Sequence, residues 1–513
     1  MNSNEFREFG KTAIDFIANY LDTIRDRPVL PSVEPGYLHG LLPSEMPENS
    51  ESWRKIMKDF ENFIMPGITH WQSPNFHGFF PTPTCFPSVV GEMISAGLGV
   101  VGFSWICSPA CTELEVIMMN WLGKFINLPE SFLNCGPGNG GGVIQGSASE
   151  SILVAILTAR EQTVRRIKSQ FPDMEEGVIR SKLVGYSSDQ SNSCVEKGGI
   201  LGAIPLRLLP TDENWVLRGE TLQKAIDEDI ARGLIPCVCI STMGTTSTCA
   251  FDDIPALGEI CNKNNIWFHI DAAYAGSFFC LPEYQHAMKG IELADSFNYN
   301  LHKLMHVNFD CCAMWFQNCD SVVQSFTVDR IYLQHQFQGQ SLAPDYRHWQ
   351  ISLGRRFRAL KVWFTLRSYG KAKICEILRR RIQLAESLEQ KLRTDPRFEV
   401  TYPAYMGLVI FRLAEGCEKT KILLEKLHER KNLYLTPTNC HGKFVIRFVI
   451  AGIDPQEGDI EFAWKEFQTV VNSIVTRDDQ ISMMETNIIE KKKGDEETAW
   501  MEISHDQNVE KIK

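Results

Sequence analysis

The chain has 513 residues, with 52 Lys and Arg against 63 Asp and Glu, giving a formal net charge of −11. Hydrophobic residues make up 44% and charged residues 22%, proportions that build a large core and exclude a disordered, collagen-like or small disulfide-stapled chain. The acidic balance lacks the basic footprint of a nucleic-acid binder, so no nucleic-acid partner is expected.

In chain order, Phe6, Ala13, Phe16, Ile17, Tyr20, Leu21 and Ile24 recur at helical spacing. Pro28, Pro31 and Pro35-Gly36 then break the pattern. Residues 1–84 therefore read as a helix and an extended arm that packs on its own chain or on another subunit. The opening residues carry no apolar signal core behind a basic start, which favours a cytoplasmic location. Residues 93–112 lack charge over nearly the ~20 residues that a spanning helix requires. Serine, glycine and proline interrupt them, so a buried segment or a subunit contact is expected, and no membrane span. The 16 cysteines include no Cys-x-x-Cys pair. In a chain this long they are expected to be mostly reduced and buried, with no metal site.

From 85 to 373, helical stretches (150–168, 218–231) alternate with short apolar runs (182–186, 236–241, 266–271, 311–316). That alternation predicts an α/β fold with a doubly wound, mainly parallel sheet, whose ligands lie beyond the carboxyl ends of its strands. Residues 374–476 form a second, smaller α/β unit, with a helix over 377–393 and strands near 406–412 and 443–449. Charge rises and apolar content falls over 477–513, the pattern of a disordered tail.

Three features carry chemistry. Lys303 closes Ser296-Phe297-Asn298-Tyr299-Asn300-Leu301-His302-Lys303 between two apolar runs. Asp271 ends an apolar strand, where an unpaired carboxylate is costly to bury. Gly140-Gly141-Gly142-Val143-Ile144-Gln145-Gly146-Ser147-Ala148-Ser149-Glu150 reads as a glycine- and serine-rich loop running into a helix, whose N-terminus favours an anion. Neither an ATP-type nor a dinucleotide-type glycine pattern is present. A lysine able to form a Schiff base, a carboxylate to face a cationic ring nitrogen and a phosphate cup are together what a pyridoxal phosphate site needs.

With these motifs in order, the chain resembles the group II pyridoxal-phosphate decarboxylases of the aromatic amino acid decarboxylase family, fold type I, over roughly residues 1–475. Further matching segments are Val33-Glu34-Pro35-Gly36-Tyr37-Leu38, Gly102-Phe103-Ser104-Trp105, Ser108-Pro109-Ala110-Cys111-Thr112-Glu113-Leu114-Glu115 and Asp345-Tyr346-Arg347-His348-Trp349-Gln350. The resemblance implies an aspartate aminotransferase-like large domain (85–373), a small C-terminal domain (374–476) and a homodimer into which the 1–84 arm is swapped. It implies that Lys303 binds pyridoxal phosphate covalently, Asp271 pairs with the ring nitrogen and Ala273 packs on the ring. Ser147, Ala148, Ser149, Asn300 and His302 would surround the phosphate, with Thr246 near the ring hydroxyl. Trp71, Phe80, Pro81 and Thr82 would wall an aromatic side chain, Val101 and Phe103 would enter from the partner subunit, and Tyr332, on a mobile segment over 326–352, would donate a proton.

The chain departs from the amine-forming members at Asn192, where they carry histidine, and also at Leu301 and Pro83. After carbon dioxide leaves, an imidazole with pKa near ~6.5 can shuttle a proton to the α-carbon, whereas a carboxamide does not titrate in this range. A slower proton leaves time for dioxygen. Asparagine at this place resembles an insect branch of the family linked with cuticle hardening. The implied reaction is oxidative decarboxylation-deamination of L-dopa to 3,4-dihydroxyphenylacetaldehyde, with carbon dioxide, ammonia and hydrogen peroxide. The alternative is an ordinary aromatic amino acid decarboxylase making dopamine or related amines.

Overall fold

The computed structural model describes residues 1–328, 330–338 and 343–474; the tail expected over 477–513 lies outside them. Seven strands form the large sheet: β1 Gly141–Gln145, β2 Leu183–Ser188, β3 Leu206–Leu209, β4 Ile235–Thr242, β5 Trp267–Asp271, β6 Ser296–Asn300 and β7 Cys312–Phe316. Their order is β1-β7-β6-β5-β4-β2-β3. Neighbours from β3 through β6 run parallel, and only β7 runs antiparallel, against β6 and β1. Helices cover both faces, so β1, β2, β5, β6 and β7 are buried along their whole length, as strands in sheets covered on both sides are.

A second, antiparallel sheet is built from β8 Phe398–Tyr405, β9 Leu408–Leu413, β10 Thr436–Cys440 and β11 Lys443–Val449, in the order β10-β11-β9-β8. The expected boundary near 373 falls inside one long helical element, Arg358–Thr394, which changes direction at Gly370 (φ 67°, ψ 170°). Gly370 adopts a left-handed conformation closed to most residues, so one element serves both sheets. On its second half, fully buried Arg381 donates to the Ile450 and Gly452 carbonyls at 2.7 and 2.6 Å, tying the helix to the end of the small sheet.

Two expectations are corrected. The glycine-rich stretch is a loop only at Gly140 and Gly146-Ser147, because Gly141–Gln145 is strand β1. A Cβ on Gly142 would lie 2.5 Å from Met119 Cε and 2.8 Å from the Trp315 indole, so the glycine admits those side chains to the core. Of residues 93–112 the chain buries only Gly102, Ser104, Cys111 and Thr112, which leaves the subunit contact of the two expected readings. The helix Phe86–Leu98 turns Phe86, Val90, Met93, Ile94 and Leu98 to solvent, and Val101 and Ile106 are exposed beyond it. An apolar surface of this extent is characteristic of an interaction face. The cysteines behave as expected, since all 16 are free and 11 are buried.

β1 is held in place by a buried ion pair. Glu115 Oε1 accepts from Arg355 Nη2 at 2.6 Å and from the Ile144 N–H at 2.7 Å, and Arg355 also donates to Gln350 Oε1 at 2.8 Å. Removing one partner strands a buried charge. Glu115→Ala is expected to lower stability by about 3–5 kcal/mol, read as a shift in the chemical denaturation midpoint.

Candidate active site

The strands end together at one edge of the large sheet, and the residues beyond their carboxyl ends line a cavity of about 180 Å³. An engineered apolar cavity of about 150 Å³ holds benzene, so this space suits a single substituted ring. β1 leads through Gly146 to Ser147, Ala148 and Ser149, and β2 leads to Asn192 and Cys194. From β4 come Thr242, Gly244 and Thr246; from β5, Asp271, Ala273 and Tyr274; from β6, Asn300 and Lys303. Phe80 closes the cavity from the N-terminal segment.

Each side chain is positioned by its local fold. Ser147 caps the helix Ala148–Gln170, its Oγ accepting from the Glu150 N–H at 3.3 Å. The Ala148 and Ser149 N–H groups, in the first helical turn, have no hydrogen-bond partner among the described residues, which makes the turn an anion cradle. Asp271 Oδ1 accepts from the Ala273 N–H at 3.0 Å and Asn298 Nδ2 at 3.1 Å. Burial pushes the Asp271 carboxyl pKa up, opposed by Lys303 and these two donors. Lys303 sits on the short helix Leu301–Leu304 after β6, its Nζ 4.5 Å from the centre of the Phe80 ring. Burial pushes its pKa down from the ordinary lysine value, against the pull of Asp271. Phe80 stacks in turn on Tyr274 at 4.0 Å.

Asn192 caps the helix Ser193–Gly202. Its Oδ1 accepts from the Cys194 N–H at 3.0 Å, and its Nδ2 donates to Thr246 Oγ1 at 2.9 Å. The amide is therefore held at both ends, with its orientation set by the backbone donor.

The structure brings together Ser147, Ala148, Ser149, Asn192, Thr246, Asp271, Ala273, Asn300, Lys303 and Phe80. Other expected residues lie elsewhere. His302 turns from the cavity, accepting the Cys311 N–H on Nδ1 at 3.0 Å. Trp71 packs on Phe76 and Phe79, and Pro81 and Thr82 follow Phe80 without lining the space. Val101 (51% exposed) and Phe103 do not reach the cavity of their own chain. Tyr332 is 76% exposed on the turn Ile331–Leu333. Cys194, Thr242, Gly244 and Tyr274 are site residues that the motifs left out. Spacing could have found Cys194, two residues past Asn192, and Thr242, directly after the apolar run 236–241.

Residues 35–414 match the pyridoxal-dependent decarboxylase conserved domain. The chain belongs to that family. It is 60% identical over 479 residues to the 3,4-dihydroxyphenylacetaldehyde synthase of Aedes aegypti, covering 93% of this chain and 92% of that one. The aromatic-L-amino-acid decarboxylase of Drosophila melanogaster is 50% identical over 474 residues, covering 92% of each. The solved structure of Oryza sativa TDC with PLP and tryptamine superposes with a TM-score of 0.89 at 33% identity, over 92% of this chain and 99% of that one. The site fits the family's cofactor on its own evidence: free Ala148 and Ser149 N–H groups at a helix start for a phosphate, a buried carboxylate for a ring nitrogen, a buried lysine whose pKa is pushed down, and a buried Asn300 Oδ1 without a partner among the described residues.

Burial also pushes His77, His269 and His302 down to about 4. A folded-state pKa below the unfolded ~6.5 means that each contributes stability that is full above pH ~6.5 and lost as pH falls toward 4. Denaturant midpoints are expected to fall between pH 7 and pH 5, by on the order of 2 kcal/mol for each histidine.

Proposed function

We propose that this decarboxylase converts L-dopa, dioxygen and water into 3,4-dihydroxyphenylacetaldehyde, carbon dioxide, ammonia and hydrogen peroxide. The observation that carries this reading is Asn192, held beside Lys303 and Thr246 in the cofactor cavity.

Pyridoxal phosphate, when bound, supplies an electron sink for the pair left by the departing carboxylate. The chain's residues do the rest. Ser147, Ala148 and Ser149 would hold the phosphate at the helix N-terminus. Asp271, whose anion Lys303, Asn298 and the Ala273 N–H favour against burial, would keep a proton on the ring nitrogen. Lys303, its charge disfavoured by burial, would supply the amine that binds the cofactor aldehyde. Phe80 and Tyr274 present an aromatic wall to a ring-bearing substrate. Asn192 can donate a hydrogen bond but cannot deliver a proton, and the Tyr332 phenol lies at the surface of the single chain. A slower proton at the α-carbon would leave time for dioxygen to accept the electron pair.

The active unit in this reading is a homodimer, with the apolar face on and beyond Phe86–Leu98 against a second copy and Val101 and Phe103 completing the neighbouring substrate wall. A cytoplasmic location is part of the same reading, supported by family likeness. The synthase relative at 60% identity supports the aldehyde product, and the decarboxylase relative at 50% represents the amine-forming alternative.

The test incubates purified holoenzyme with L-dopa in air and without oxygen, quantifying aldehyde, peroxide and dopamine together. Aldehyde and peroxide in step with consumed oxygen are expected, and dopamine as the main product in air would overturn the reading. Asn192→His, which restores an imidazole, is expected to shift the product ratio toward dopamine on the order of tenfold or more, since a positioned acid contributes roughly 10²–10⁴-fold. An unchanged ratio would refute the role of Asn192.

A further inference from the structure

β5 and β6 run parallel and adjacent, with His269 opposite Ser296 and Asp271 opposite Asn298. Side chains alternate along a strand, so Trp267, His269 and Asp271 share one face of β5, and Ser296, Asn298 and Asn300 share the same face of β6. In an otherwise apolar interior these interleave into one hydrogen-bonded ladder. Trp267 Nε1 donates to Ser296 Oγ at 2.9 Å, and Ser296 Oγ lies 2.8 Å from His269 Nδ1. His269 Nε2 lies 2.8 Å from Asn298 Oδ1, and Asn298 Nδ2 donates to Asp271 Oδ1 at 3.1 Å. Every member is less than 5% exposed.

The donors and acceptors close in only one way. An indole N–H can only donate, so Ser296 Oγ accepts from Trp267 and its own proton is free for His269. A carboxylate can only accept, so Asn298 must turn its NH₂ toward Asp271 and its oxygen toward His269. His269 Nε2 must then carry a proton. A buried imidazole is neutral, which leaves Nδ1 bare to accept from Ser296. The chain of donors thus points from Trp267 to Asp271 without a break.

We propose that His269 is a positioning residue, locked in the Nε2-protonated form by Ser296 and Trp267, that orients the Asn298 amide toward Asp271. This rests on the reading of Asp271 as the partner of the cofactor ring nitrogen. Neither His269 nor Asn298 lines the cavity, so both act through Asp271. With Oδ1 occupied by Asn298 and the Ala273 N–H, Oδ2, which has no hydrogen-bond partner among the described residues, is the oxygen left for the ring nitrogen. Without the ladder the Asn298 amide can rotate and set its oxygen against the carboxylate, two acceptors face to face. Protonation of Asp271 then relieves the clash and weakens its hold on the ring.

Selective ¹⁵N labelling of histidine in the holoenzyme reads the tautomer directly, with the His269 signal assigned by its absence from His269→Leu. A neutral ring protonated on Nε2 is expected; one protonated on Nδ1, or on both nitrogens, overturns the proposal. Folded His269→Leu is expected to bind pyridoxal phosphate about tenfold more weakly, the scale of losing a charge-assisted hydrogen bond, and to shift the visible absorption band of the bound cofactor. Unchanged affinity and spectrum would overturn it. His269→Gln retains a donor and an acceptor and is expected to recover part of the affinity; equal values for Gln and Leu would reduce His269 to a space-filler and refute positioning. Should His269→Leu fail to fold, Ser296→Ala provides the same readouts, with a smaller loss expected and no change in tautomer, affinity or spectrum counting against the ladder. Failure of the underlying reading would look different: the wild-type chain would not bind pyridoxal phosphate at all, whatever the tautomer.

Discussion

A carboxylate buried at the end of a central strand is the constraint on which the rest of this structure depends. Asp271 is 3% exposed, and burial pushes its carboxyl pKa up. Three groups oppose that rise: the Lys303 amine, the Ala273 N–H and the Asn298 amide. The same enclosure disfavours the charge on Lys303, whose pKa burial pushes down while the Asp271 charge opposes the fall. Neither group would have that character on the surface.

Keeping the pair in register is a matter of secondary structure. Asp271 ends β5, and Lys303 follows β6, its parallel neighbour, by three residues, so the sheet ladder itself sets their relation. The phosphate cradle hangs on β1, two strands away, whose position depends on the Glu115–Arg355 pair and on close packing of Gly142 under Trp315. Asn192 is held by the start of its own helix and by Thr246 beyond β4. The site is thus assembled from the ends of rigid elements, which holds it more accurately than long loops could.

Much of this was legible residue by residue. The apolar runs at 236–241, 266–271 and 311–316 are central strands because an interior strand of a two-sided sheet needs apolar side chains on both faces, and that signal is local. β6 was missed for the opposite reason. Ser296-Phe297-Asn298-Tyr299-Asn300 alternates polar and aromatic residues, a pattern that usually marks one solvated face, whereas here the polar face is fully buried, with Ser296 and Asn298 satisfied by β5. β1 reads as loop in the sequence because glycine weakens a strand on its own, and only the close approach of Asn134 and Trp349 to Gly141 and of Met119 and Trp315 to Gly142 explains its glycines. The Phe86–Leu98 helix is apolar enough to read as core, yet the chain leaves that face to solvent, since composition does not say which molecule covers it.

What the sequence by itself determined is the chemical inventory: a lysine, a strand-end aspartate, a serine-rich helix start and an asparagine at 192. Those are properties of residue type and spacing, and side-chain chemistry does not change with folding. Tertiary structure decided which of them share a cavity, which way His302 and Tyr332 face, and how a tryptophan, a serine and a histidine distant from the cavity come to orient the group beneath the ring. Those outcomes depend on strand register and burial, which arise only when segments far apart in the chain exclude water together.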